Sequence, residues 1–159
     1  MASENAVAQP VVHIIDDDEG LRESLAFLLR SAAFEVKSFE SAKAFLDVLP
    51  HAAPGCIITD VRMPDISGIE LLRRLKELKI GVPVIVITGH GDIALAVEAM
   101  KIGAADFFEK PFDDDLLVAS VRAVLRQREG QTKRGAERAE IEHRISQPYR
   151  VAKKMCLPG

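Results

Sequence analysis

The stretch Gly55-Cys-Ile-Ile-Thr-Asp60-Val-Arg-Met-Pro-Asp-Ile-Ser-Gly68 decides the reading of this chain. An apolar run bounded by turn formers reads as a buried strand, and here the run stops on a carboxylate. Asp60 therefore closes a strand, and Met63-Pro64-Asp65 with Ser67-Gly68 carries the chain round into a helix starting near Ile69.

The same pattern continues on both sides. Upstream, Val11 to Asp16 is a short apolar run, followed by Asp17, Asp18 and Glu19 and then by Leu21, Leu25, Leu28, Leu29 and Ala32 at helical spacing. Phe34 to Phe39 is a more polar strand, suited to a sheet edge. Ser41 caps a helix that carries Phe45, Val48 and Leu49 before Pro50 ends it. Downstream, the helix after Gly68 buries Ile69, Leu72, Leu75 and Leu78 and stops at Gly81. Pro83 to Thr88 is the fourth strand. Gly89-His90-Gly91 breaks the chain, Asp92 caps, and Val97, Met100 and the alanines make a weakly apolar helix ending at Gly103. Ala105 to Glu109 is the fifth strand, closed by Lys110-Pro111. Asp113 to Asp115 then open a last helix with Leu117, Val121, Val124 and Leu125 inward.

Five strands alternating with five helical segments call for βαβ units, hence an α/β fold with a doubly wound parallel sheet covered on both faces. The repeat occupies residues 11–128. Residues 1–10 read as a flexible N-terminus, and residues 129–159 as a helical or flexible extension. That extension is charged, holds Ile141 and Ile145 as an i, i+4 pair, and ends in a mildly basic, frayed tail.

Composition narrows the function classes. With 159 residues, 48% hydrophobic and 28% charged, the chain is globular and of about one domain. A formal net charge of -3 gives the body no basic footprint for nucleic-acid phosphates. Cys56 and Cys156 do not make a disulfide framework, which suits a reducing compartment. No run approaches the roughly 18 to 20 apolar residues that span a bilayer, and the first ten residues lack a signal peptide's basic start and apolar core. The expectation is a cytoplasmic protein without membrane contact.

All strands of a parallel sheet end on one edge, so the residues terminating them meet there. Four of these ends are polar: Asp16 and Asp17, Asp60, Thr88, and Lys110. In the order 2-1-3-4-5 the crevice lies between strands one and three, where ligands of such sheets bind, and Asp17 faces Asp60 across it. Three carboxylates at close quarters repel unless protonated or joined by a cation. Oxygen-only ligands and the lack of clustered Cys or His favour Mg²⁺ over zinc. Asp17 and Asp60 are the expected direct ligands, with Asp16 through water and the carbonyl of Arg62 from the turn. Lys110 brings a positive charge to an incoming phosphoryl group and the Thr88 hydroxyl donates to it. A carboxylate nucleophile, a metal and a lysine are the parts needed to form an acyl phosphate. His13, His51, His90 and His143 form no constellation and read as structural or solvated, and Cys56 reads as core.

Ile15-Asp-Asp17, Thr59-Asp-Val-Arg-Met-Pro-Asp-Ile-Ser-Gly68, Val86-Ile-Thr-Gly-His-Gly-Asp92 and Phe108-Glu-Lys-Pro-Phe112 resemble the CheY-like, flavodoxin-like receiver domain of two-component response regulators. The wording of Arg22 to Phe27, Ala96 to Lys101 and Gly103 to Phe107 is most similar to the FixJ group. The resemblance covers residues 11–128. It implies Asp60 as phosphoacceptor from a sensor histidine kinase, Asp16 and Asp17 as the acidic pair, and Lys110 as the phosphate-binding lysine before a cis Pro111. Thr88 and Phe107 become the switch residues. Such a protein is a signalling phosphoacceptor that assists its own phosphorylation and dephosphorylation, not an enzyme with a separate substrate.

The FixJ group carries a DNA-binding domain for which 31 residues after Arg128 are too few. Ala136 to Gln147 looks like the group's interdomain linker. Two outputs are therefore open: transcriptional regulation through a DNA-binding effector missing from this chain, or a stand-alone phosphoacceptor acting through protein contacts. The surface formed by the helix of Ile93 to Ile102, strand five and the last helix is the expected face for a phosphorylation-dependent homodimer. Competing classes fit worse. A haloacid-dehalogenase-like phosphatase needs an acid two positions after its aspartate, where Arg62 stands. A nucleotide-binding protein needs glycines where Asp17-Asp-Glu stands. A pseudo-receiver would lack Asp60 or Lys110.

Overall fold

A computed structural model of the chain describes residues 10–49, 55–89 and 91–127. The chain divides into one compact unit, Met1–Leu125, and a second, Arg126–Gly159, of which only residues 126–127 are described. The expected extension beyond residue 128, His51, His90, His143 and Cys156 lie outside the described residues.

Strands and helices alternate without exception: β1 (Val11–Ile15), α1 (Glu19–Ser31), β2 (Glu35–Phe39), α2 (Ala42–Val48), β3 (Gly55–Asp60), α3 (Gly68–Glu77), β4 (Val84–Thr88), α4 (Ile93–Ile102) and β5 (Asp106–Glu109). Residues 114–127 are helical and are called α5. The five strands form one parallel sheet in the order β2-β1-β3-β4-β5. As expected of an edge strand, β2 buries Val36 and exposes Glu35, Lys37 and Ser38.

Alternation along each strand divides the core in two. Val12, Ile14, Ile58, Ile85 and Ile87 pack with Leu25 and Leu29 of α1 and Leu117 and Val121 of α5. Ile15, Ile57, Val84 and Val86 face the other way, onto Phe45 of α2, Leu71, Leu72 and Leu75 of α3 and Ala99 of α4. Burying one such side chain fully contributes roughly 1.5–3 kcal/mol, so these two layers supply the main force that holds the strand ends in register. His13 is buried against Phe39 and Phe45, a structural role, and Cys56 is buried in β3.

Three expected core residues are on the surface. Leu78 is 59% exposed because it is the C-cap of α3, one step past the last inward turn, and Ile80 packs against the core in its place. Val97 and Val48 are 45% and 42% exposed. On α4 the inner positions are taken by Ala96 and Ala99, whose small side chains let the helix sit close and turn Val97 outward.

Side-chain caps start α1, α2 and α3, and Asp113 likewise accepts the N–H of Leu116 at the start of α5. Asp18, Ser41 and Ser67 accept the backbone N–H of Leu21, Ala44 and Glu70. The turn between β3 and α3 puts Asp65 in the left-handed region, φ 66°, and lays Gly68 on the end of β3. A Cβ at Gly68 would stand 2.4 Å from the Asp60 carbonyl oxygen, a backbone atom that has nowhere to go. Gly68→Ala is therefore expected to lower stability by about 2 kcal/mol, as overpacking against fixed backbone does. Urea denaturation checks this, and a variant as stable as the parent would show that α3 can start further from β3.

Candidate functional site

The parallel registers bring the strand ends to one edge: Ile15 lies beside Thr59, Asp60 beside Ile87, and Thr88 beside Glu109. The residue after β1, the last of β3 and the residue after β5 thus share one crevice. Asp16, Asp17 and Asp60 each offer a carboxylate oxygen within 4.8 Å of the others, and the Lys110 ammonium approaches Asp60 Oδ2 at 3.4 Å.

The acidic triplet after β1 divides its labour. Asp18 faces away to cap α1, while its N–H donates to Asp16 Oδ1 at 2.8 Å. Arg22 donates to the Asp16 carbonyl, fixing the turn from below. Asp16 is buried and Asp17 exposed, so the pair presents one oxygen from the floor and one from the rim.

Burial pushes the Asp16 carboxyl from 3.8 up to about 6, and the charges of Asp60 and Asp17 add to that, against the Asp18 N–H and Lys110, which favour the ionised form. A carboxyl raised in this way binds its proton more tightly folded than unfolded. Its stabilising contribution is complete below pH 3.8 and is lost as pH rises through about 6. In metal-free protein, Asp16→Asn is therefore expected to gain stability relative to the parent across that window and to hold a constant advantage above it. Paired urea titrations at a series of pH values check the sign. A difference that stays flat with pH would mean Asp16 is ionised throughout.

Three carboxylates crowd together, one of them buried, with a single lysine at their edge. That excess of negative charge on hard oxygen atoms fits a divalent cation such as Mg²⁺ and offers no soft ligand for zinc or copper.

Thr88 and Phe107 make contacts of their own on the β5 side. The Thr88 hydroxyl donates to the Phe108 carbonyl of β5 at 3.5 Å. Phe107 is half-buried and packs in the same core layer as Val86, beside which it lies in register. Thr88 follows Val86 by two residues, so the hydroxyl and the ring share one face of the sheet, the one that carries α4. The bond between Lys110 and Pro111 is cis.

Two residues carry more than expected. Arg62, named only for its carbonyl, donates its backbone N–H to Asp60 Oδ1 at 3.4 Å and holds Asp92 with a bidentate pair of hydrogen bonds, 2.8 and 2.9 Å. Asp92 sits at the N-cap of α4 but makes no cap bond, because Arg62 has taken its carboxylate. That hydrogen bond holds the Asp92 carboxyl below its ordinary value. Glu109 accepts the N–H of Gly91 at 2.9 Å.

Comparison with known proteins agrees with this architecture. The family model of the response regulator receiver domain matches residues 12–122. The transcriptional regulatory protein FixJ of Bradyrhizobium diazoefficiens is 50% identical over 135 residues, covering 85% of this chain and 66% of FixJ. The response regulator protein TodT of Pseudomonas putida is 42% identical over 152 residues, covering 94% of this chain and 67% of TodT. The crystal structure of FixJ-N superposes with a TM-score of 0.72 at 52% identity, covering 76% of this chain and 96% of that one. The chain spans between 54% and 66% of the length of the FixJ proteins it matches. It belongs to the response regulator receiver domain family, as its motifs implied. Among the described residues no helix is long and apolar enough to cross a membrane.

Proposed function

We propose that this chain accepts a phosphoryl group on Asp60 from the phosphohistidine of a sensor kinase and converts that charge into a change of its α4-β5-α5 surface. The observation that carries the reading is the Asp60 carboxylate set between the acidic pair Asp16 and Asp17 and the Lys110 ammonium. An Asp60 oxygen attacks phosphorus, the bond to the imidazole nitrogen breaks, and that nitrogen leaves with the bonding pair and takes up a proton. The product is an acyl phosphate. Lys110, the only cation hydrogen-bonded to Asp60 by its side chain among the described residues, meets the added negative charge. Mg²⁺ would be held by Asp17 and Asp60 directly, by Asp16 through water and by the Arg62 carbonyl. When bound it offsets the charge of the phosphoryl oxygens.

The switch rests on Thr88 and Phe107. A phosphoryl oxygen on Asp60 is a stronger acceptor than the Phe108 carbonyl that the Thr88 hydroxyl now meets at 3.5 Å. Drawing the hydroxyl toward Asp60 frees space on the face that Phe107 shares, and the ring turns inward. Ile93 and Val97 of α4 and Leu116 of α5, 46%, 45% and 61% exposed, give this side an apolar surface for a homodimer or an output partner. Two packings within a few kcal/mol of each other are enough for one charge-assisted contact to shift the populations.

Output in the FixJ manner is transcriptional, through a DNA-binding effector domain separate from the receiver; stand-alone signalling by protein contacts is the second reading. Thr88→Ala is expected to accept phosphate yet dimerise several-fold less than the phosphorylated parent. Size-exclusion chromatography with and without acetyl phosphate reads this. Equal association by the two proteins would remove the hydroxyl from the mechanism.

A further inference from the structure

Arg62 reaches across the top of the crevice from the β3–α3 turn to the first residue before α4, and its grip on Asp92 is planar and two-pronged. The Asp92 side chain is 18% exposed and that of Arg62 69%, so the acid is the sheltered partner. Gly91, next to Asp92, is tethered from the opposite side by Glu109 at the end of β5. The connection from Thr88 to α4 is thereby held from both flanks. Meanwhile α4 begins without the cap that α1, α2 and α3 all have, although a good capping residue stands at the right position.

Resting on the phosphoacceptor reading, we infer that Arg62 is a positioning residue that acts through Asp92: it latches the β4–α4 connection in the arrangement found here, in competition with capping of α4 by the same carboxylate. Asp92 has one carboxylate and two uses for it. Paired with Arg62, it ties α4 to the turn after Asp60. Released, it accepts an N–H from the first turn of α4, and the connection carrying Thr88 is free to move toward the phosphoryl group. The Arg62 N–H also touches Asp60 Oδ1, so the residue that holds the latch adjoins the atom that changes charge.

The two uses are close in strength. A bidentate pair at the surface and a side-chain cap each shift an equilibrium by only a few-fold, which is what a latch released by one phosphorylation requires.

Four variants and a control separate this from a decorative ion pair. Arg62→Ala leaves Asp92 free to cap, and Asp92→Asn keeps a capping side chain while losing the charged grip. Each is expected to take phosphate from acetyl phosphate two- to fivefold faster than the parent, and in unphosphorylated protein to protect the first-turn amides of α4 from hydrogen exchange. Asp92→Ala loses latch and cap together and should show no added protection and a smaller rate gain. Arg62→Lys, a single-point charge, should fall between Arg62→Ala and the parent. Arg73→Ala breaks the neighbouring Arg73–Glu98 pair between α3 and α4 and should match the parent in both readouts. The inference fails if Arg62→Ala and Asp92→Asn exchange their α4 amides like the parent, or if Asp92→Ala equals them. If the parent itself takes no phosphate on Asp60, the phosphoacceptor reading falls, while the exchange measurement still decides the latch.

Discussion

Asp60→Asn is expected to abolish phosphorylation, lowering the rate by at least about a thousandfold, as loss of a nucleophile does. The amide offers no carboxylate oxygen for attack, and none of its neighbours can replace it. Asp16 is buried with its Oδ1 engaged by the Asp18 N–H, and Asp17 stands on the rim, without the Lys110 contact that Asp60 has. The fold should persist, because removing one of three crowded carboxylates relieves repulsion. A phosphate-affinity gel after incubation with a histidine kinase or acetyl phosphate reads the outcome directly. A retarded band of undiminished intensity in the variant would assign the phosphate to another residue.

Asp17→Ala is expected to weaken Mg²⁺ binding on the order of a hundredfold while leaving the protein folded. Asp17 is exposed, so its truncation empties no core, yet it supplies one of two protein carboxylates proposed to touch the ion. Titration calorimetry of the metal-free protein with Mg²⁺ measures the change, and circular dichroism confirms the fold. Asp114→Ala, an exposed acid at the start of α5, serves as the control and should bind as the parent does. Equal affinity in the two variants would put the ion elsewhere.

Much of this was legible in the sequence because a parallel sheet turns linear order into geometry. Once Val11 to Asp16, Cys56 to Thr59 ahead of Asp60, Pro83 to Thr88 and Ala105 to Glu109 read as strands and the second strand read as an edge, Asp16, Asp17, Asp60 and Lys110 had to converge. Asp16 and Asp17 were set apart from Asp18 as the site pair, but three adjacent acids do not reveal which one caps α1 and which is buried, and the structure gives these as Asp18 and Asp16. Asp92 was misread for a related reason. An aspartate before a helix is a cap by every local criterion, and the guanidinium that claims it lies 30 residues away. The neighbouring order of β3 and β4 held the missing signal: Arg62, two residues after Asp60, and Asp92, four after Thr88, occupy adjacent loops. Val97 went astray because hydrophobic spacing marks apolar faces without saying which of them a small-residue stripe such as Ala96 and Ala99 will displace outward, and Leu78 because the same spacing does not mark where α3 ends.

The central claim is that the phosphoryl group sits on Asp60 as an acyl phosphate, and borohydride reduction tests it most directly. Reduction converts a phosphorylated aspartate to homoserine and leaves ordinary carboxylates untouched. After phosphorylation, reduction and proteolysis, tandem mass spectrometry is expected to find homoserine at position 60 and at no other aspartate. Homoserine at position 16, 17 or 65 in place of 60, or a phosphorylated protein that yields none, would contradict the account.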